Sequence, residues 1–210
     1  MTTETTTRAG FVALIGEPNA GKSTLLNRMV GAKVSIVTHK VQTTRARIRG
    51  GAIEGHSEMV CVDTPGIFKP TRRLDRAMVA AAWGGAADAD VVVLLIEAHR
   101  GMTKGVEAIL EALSERTDAR NISLAINKID RVPVDELLAL TSKMNERFDF
   151  KKTFLISAEK GHGVDDLREW LAAEVPAGPW LYPEDQSADL PLRMIAAETH
   201  LFVKYFKEYF

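Results

Sequence analysis

Gly16-Glu17-Pro18-Asn19-Ala20-Gly21-Lys22-Ser23 has the spacing G-x-x-x-x-G-K-S and directly follows an apolar run over 11–15. A lysine and a hydroxyl closing a glycine-bounded loop suit one class of ligand, a polyphosphate with its metal ion. The chain would leave a buried strand, wrap around the phosphates through Glu17, Pro18, Asn19 and Ala20, and enter a helix whose first N–H groups face the same anion. Gly16 and Gly21 keep a Cβ out of the backbone's approach to the phosphates. Lys22 reaches the β- and γ-phosphates, and the Ser23 hydroxyl takes one position on Mg²⁺.

Further motifs follow in the order a nucleotide site needs them. Asp63-Thr64-Pro65-Gly66 ends a strand-like run over 58–62. Asp63 would hold Mg²⁺ through a water, and the Gly66 N–H would reach the γ-phosphate, so losing that phosphate frees the loop. Asn127-Lys128-Ile129-Asp130 ends the apolar run over 122–126. The Asp130 carboxylate can accept from guanine N1–H and from the 2-amino group. Adenine offers a lone pair at N1 and no 2-amino group, a mismatch that discriminates by roughly 10⁴–10⁵. Asn127 would brace the loop, and the Lys128 stem would cover the base. Ser157-Ala158-Glu159 ends a run over 153–156, where the Ala158 N–H would meet guanine O6. Thr44, with Thr43 as the alternative, would complete the Mg²⁺ shell from the loop after the first helix. Together these motifs point to GTP and GDP as ligands, with Lys22, Thr44 and Gly66 as the residues expected to serve hydrolysis.

Positioning these loops requires an alternating framework. Strand-like runs cover 11–15, 46–53, 58–62, 91–96, 122–126 and 153–156, and helical spacing covers 24–30, 74–83, 106–113, 134–148 and 164–173. Only Glu54-Gly55-His56-Ser57 joins the second and third strands, a hairpin length, so that pair is expected to be antiparallel. The other strands need right-handed helical crossovers. The expected class is α/β, a three-layer P-loop NTPase domain with a six-stranded, mostly parallel sheet and one antiparallel edge strand. Ligands in such sheets sit outside the carboxyl ends of the strands, where every motif above falls. Arg45, Arg47 and Arg49 alternate, so they share one strand face, and are read as a solvated sheet edge, with RNA contact as the alternative.

The chain has 210 residues, 46% hydrophobic and 26% charged, with a formal net charge of −1. That balance offers no global basic field for bulk nucleic-acid binding. The single Cys61 excludes an internal disulfide framework, and its valine neighbours predict a buried, inert thiol. No secretory h-region opens the chain, and the run over 91–96 is too short to span a bilayer. A soluble, cytoplasmic monomer is expected.

The loop extended through Thr24-Leu25-Leu26-Asn27, the segment Val41-Gln42-Thr43-Thr44-Arg45 and Val62-Asp63-Thr64-Pro65-Gly66-Ile67 resemble the Era-type ribosome-assembly GTPases, in the translation-factor-related branch of small bacterial GTPases. The resemblance extends through Tyr182-Pro183-Glu184-Asp185-Gln186-Ser187 to about Glu198. It implies a GTP-hydrolysing switch coupled to 30S subunit assembly and 16S rRNA processing. Related GTPases of tRNA modification or 50S assembly, and a nucleotide-binding fragment without output, are the alternatives. Ile67 stands where Ras-like proteins place a water-orienting glutamine, and an alkyl group cannot do that. The resemblance therefore implies a hydrophobic-substituted GTPase with slow intrinsic turnover, and a K⁺ ion held by Asn19 as a second cofactor beside Mg²⁺.

The expected organisation is a disordered tail over 1–9, the nucleotide domain over 10–175, a Pro-rich linker over 176–191 and a short helical tail over 192–210. The resemblance implies an RNA-binding KH domain after the linker. Beyond Val175 the only glycine is Gly178, so no G-x-x-G clamp is present and that domain is expected to be missing. Phe202, Tyr205, Phe206, Tyr209 and Phe210 fall on one helical face. This stripe reads as the orphaned end of a truncated or frame-shifted product, or as a peripheral contact with the inner face of the cell membrane or a partner.

Overall fold

The computed structural model describes residues 7–30, 34–35, 47–63, 89–115 and 121–181. The expectations on Thr43, Thr44, Thr64, Pro65, Gly66 and Ile67, on the helix over 74–83 and on the chain from 182 onward lie outside the described residues.

The elements run β1 (Arg8–Ile15), α1 (Lys22–Val30), β2 (Val34–Ser35), β3 (Arg47–Glu54), β4 (Ser57–Asp63), β5 (Val91–Glu97), α2 (Lys104–Ser114), β6 (Ile122–Asn127), a 3-10 turn (Ile129–Arg131), α3 (Val134–Arg147), β7 (Thr153–Leu155) and α4 (Val164–Glu174). Their order in the sheet is β2-β3-β4-β1-β5-β6-β7. The strands β4, β1, β5, β6 and β7 are parallel, and β3 pairs antiparallel with β4, as the short hairpin requires. The six expected strands form this sheet. A seventh of two residues, β2, pairs antiparallel with β3 and becomes the outermost strand. So short a segment carries no periodicity to read.

Alternation along the central strands builds two cores. Val12 and Leu14 of β1 join Val91, Val93 and Leu95 of β5 beneath α1 and α4, packed by Leu25, Met29, Leu167 and Leu171. Ala13 and Ile15 join Val92, Leu94 and Ile96 beneath α2 and α3, packed by Ile109, Leu110, Leu137 and Met144. All of β5 is buried, which is why it reads as an unbroken apolar run. Each fully buried leucine or isoleucine here stabilises the fold by roughly 1.5–3 kcal/mol. Helix α2 shows the local logic. Val106, Ile109, Leu110 and Leu113 line its buried side, and the Thr103 hydroxyl caps it by accepting from Val106 N at 3.1 Å.

Three expectations are corrected. The domain begins before residue 10, since Thr7, Arg8 and Ala9 are already bonded into it. Arg8 N donates to His56 O at 3.0 Å and Ala9 N to Pro176 O at 3.1 Å, so β1 starts at Arg8, where the sequence shows only polar and small residues. The start of the linker is part of the domain. Residues 176–181 are stitched to it by Gly178 N to Thr7 O, Trp180 Nε1 to His56 O and Leu181 N to Glu58 Oε2. The strict alternation through Arg47 and Arg49 is interrupted, because the β3–β4 register shifts between Ile48 and Gly50. Cys61 is buried, and burial pushes its thiol up to about 12, so it is protonated and inert as expected.

Candidate nucleotide-binding site

The loop 16–21 leaves the buried end of β1 and enters α1 at Lys22. Gly16 has φ +151°, and a Cβ there would lie 2.2 Å from Leu95 O; Gly21 has φ +99°, and a Cβ would lie 2.2 Å from Asn127 Nδ2. Both glycines are therefore demanded by the protein's own packing, in addition to any phosphate they admit. Lys22, 8% exposed, curls over the loop and donates from Nζ to Gly16 O at 3.1 Å and Glu17 O at 2.8 Å. Its cation thus sits inside the cradle that the spacing predicts. Ser23 is exposed in the first turn of α1. Asn19 takes the left-handed conformation, φ 67°, at the exposed tip.

Asn127 joins the loops. Its Nδ2 donates to Ala20 O at 2.8 Å, and its Oδ1 accepts from Ala158 N at 2.9 Å. The bracing role expected of Asn127 thus has a specific form. The Ala158 N–H aimed at guanine O6 by the sequence reading is donated to this amide instead. Lys128 is left-handed, φ 64°, and its Nζ donates to Asn19 O at 2.9 Å and Glu97 Oε2 at 2.5 Å. Ile129 begins the 3-10 turn and packs on the α2–α3 core. Asp130 Oδ1 accepts from Ser157 Oγ at 2.7 Å, and Lys160 Nζ lies 3.6 Å from Oδ2. The Ser157 hydrogen bond, opposed by partial burial and helped by the charges of Lys160 and Arg131, holds the Asp130 carboxyl below the usual aspartate range. It is an anion wherever the protein works, as an acceptor for two guanine N–H groups must be. Asp63 closes β4 in register with Leu14, one strand from the loop.

The structure thus gathers Gly16 to Ser23, Asn127 to Asp130 and Ser157 to Glu159 at the carboxyl end of the sheet, with Asp63 beside them. A family model described as 50S ribosome-binding GTPase matches residues 11–128. The chain belongs to that family. Among relatives in this GTPase family, GTPase Era of Dinoroseobacter shibae is 74% identical over 193 residues, 91% of this chain and 63% of that protein. GTPase Era of Brucella suis biovar 1 is 57% identical over 197 residues, 94% of this chain and 63% of that protein. The chain spans less than two thirds of these relatives' length. A crystal structure of Era in complex with MgGDPNP and a segment of 16S ribosomal RNA matches with TM-score 0.74 and 36% identity, over 91% of this chain and 65% of that one. The Era-type resemblance read from the motifs is borne out.

Within this GTPase domain the sequence reading missed a second layer of charges. Glu97, at the end of β5, is buried beside Lys128, with His99 Nε2 at 3.6 Å and Arg100 Nη1 at 3.5 Å. Burial pushes its carboxyl up, but the hydrogen bond and charge of Lys128, with His99 and Arg100, outweigh this, so it is held below the usual range. Glu17 accepts from Thr103 Oγ at 2.8 Å, which ties the phosphate loop to the cap of α2. Arg28 Nε donates to Ala158 O at 2.7 Å. A lone acid ending the wholly apolar β5 was the available signal for Glu97, since ligands gather at that strand end. Nothing in the sequence marks Arg28.

Proposed function

We propose that this chain binds GTP and GDP and hydrolyses GTP, as the switch of an assembly step on the 30S ribosomal subunit. One observation carries the reading. Asn127 ties the Ala20 carbonyl to the Ala158 N–H, and so holds the loop that leads into Lys22 against the loops that carry the ionised Asp130 carboxylate and its Ser157 partner. A cation for phosphate and an acceptor pair for guanine, held rigidly together, are what a guanine nucleotide requires.

Ser23, next to Lys22 in the chain, and Asp63, at the end of β4 in register with Leu14, supply hard oxygen donors, a set that suits Mg²⁺ sharing phosphate oxygens. When bound, the metal neutralises phosphate charge. Thr44 completes its shell in this proposal, and Gly66 senses the γ-phosphate. Asn19, exposed at the loop tip, is the proposed K⁺ ligand; equal turnover in NaCl and KCl would remove that role. Ile67 leaves the attacking water without a side-chain guide, so turnover is slow without a partner.

The relative crystallised with MgGDPNP and 16S ribosomal RNA supports the ribosomal assignment. The cytoplasmic setting, the monomeric state and a peripheral membrane contact through the aromatic stripe over 202–210 belong to the same proposal and rest on the sequence. Among the described residues no helix is long and apolar enough to cross a membrane. Calorimetry tests the core of the reading: GDP is expected to bind at least about 10³-fold more tightly than ADP, and equal uptake or none overturns it. Single-turnover hydrolysis with and without 30S particles tests the switch; no stimulation sinks the ribosomal assignment.

A further inference from the structure

We infer that Arg28 is a positioning residue for guanine recognition, clamping the base loop to the helix that carries the phosphate-binding lysine. The inference deepens the proposed GTP site and rests on it. Arg28 lies in α1, which begins with Lys22. Its Nε donates to Ala158 O at 2.7 Å and its Nη2 to Glu159 O at 2.5 Å. The planar guanidinium grips two successive carbonyls, a geometry a point-charge ammonium cannot reproduce. The loop passes so close that a Cβ on Gly161 would lie 2.8 Å from Arg28 Nη1.

What this grip controls follows from the loop's other bonds. Gly161 N donates to Ser157 O at 2.7 Å, and Lys160 N to Ser157 Oγ at 3.3 Å. That same hydroxyl donates to Asp130 Oδ1 at 2.7 Å. Asn127 already secures the N–H side of the loop through Ala158 N. Arg28 secures its carbonyl side. With the clamp released, Ser157 is free to shift, and the Asp130 carboxylate loses the donor that orients it toward the base. Arg28 is exposed and lines an open cavity of about 570 Å³ with Thr24, Asn27 and Asp165. Truncating it opens no sealed void, so a binding effect is separable from a loss of fold.

The test compares GDP with IDP, which lacks the 2-amino group that Asp130 accepts from. Dissociation constants are measured by calorimetry for the unmodified chain, Arg28→Ala and Arg28→Lys, with melting temperatures alongside. Arg28→Ala is expected to weaken GDP about ten-fold and IDP by less, so the preference for GDP shrinks at least about three-fold. Arg28→Lys is expected to fall between, because it regains one carbonyl contact. A preference that stays constant in Arg28→Ala overturns the inference, whether both ligands weaken equally, as for a mere brace, or neither does. Should Arg28→Ala not fold, Arg28→Lys carries the same comparison. No GDP uptake by the unmodified chain removes the site reading and the inference together, whereas an unchanged preference in a chain that binds GDP removes the inference alone.

Discussion

At the carboxyl ends of β1, β6 and β7 the loops are held by side chains reaching across the sheet: Lys22 to Gly16 and Glu17, Asn127 to Ala20, Lys128 to Asn19, Arg28 to Ala158. At the amino ends of β1 and β4 the chain is closed by main-chain pairs, Arg8 N to His56 O, Ala9 N to Pro176 O and Gly178 N to Thr7 O, together with side chains set on neighbouring backbone, Arg8 Nη1 on Val175 O and Trp180 Nε1 on His56 O. Among the described residues, both non-glycine positions with positive φ, Asn19 and Lys128, lie at the carboxyl end. Each such residue costs about 1–3 kcal/mol and persists only where its surroundings over-determine it. The amino end is built as a seam. The carboxyl end accepts strain to present specific groups, and its charged groups are held by backbone carbonyls, as Lys22 is, or by one another, as Lys128 is by Glu97.

The sharpest way to break this contrast is Asp130→Asn. It swaps an acceptor for a donor, so GDP affinity should fall roughly 10³-fold and xanthosine diphosphate, with a carbonyl at C2, should bind instead. The melting temperature should barely move; if calorimetry finds GDP binding intact, the carboxylate is not the purine reader. Next is Gly21→Ala. Its Cβ would meet Asn127 Nδ2, so stability should drop by about 2–4 kcal/mol, read as a lower denaturation midpoint. A neutral result would mean that Asn127 yields easily and does not couple the loops. At the other end, Arg8→Ala removes donations from Nη1 to Ala173 O and Val175 O. It should cost about 1 kcal/mol and leave GDP affinity within about two-fold, since a seam residue is remote from the ligand. A large loss of affinity would show that the two ends are coupled.

The smallest effect concerns pH. The Asp130 carboxyl is held below its usual range, chiefly by the Ser157 hydrogen bond. Its contribution is therefore complete above the ordinary aspartate range and is lost as pH falls through the lowered value. Ser157→Ala removes the main lowering influence, so the acid limb of the GDP-to-IDP preference should move to higher pH. An unmoved limb in a fluorescence titration would assign the shift to Lys160 and Arg131 instead.

The legible parts of the fold were those with strong local periodicity. The buried run of β5, the spacing of Val106, Ile109, Leu110 and Leu113, and the hairpin before β4 all appear where expected. The two-residue β2, the polar start of β1 and the stitched segment 176–181 were not legible, because each owes its place to a partner distant in sequence and not to its own pattern. In the site, the identities of Lys22, Asn127, Asp130 and Ser157 could be read, but the destination of their hydrogen bonds could not.

Contiguous residues determined the kind of ligand to expect and the alternation of strands and helices, because a phosphate loop and an amphipathic helix are local objects whose residue types must sit at fixed spacings. Tertiary structure decided which groups hold the site rigid. Arg28 meets Ala158 across 130 positions, and Asn127 meets Ala20 across 107. Such contacts exist only after parallel crossovers bring the strand ends side by side, and a hydrogen bond between remote segments leaves no spacing in the chain for a reader to find.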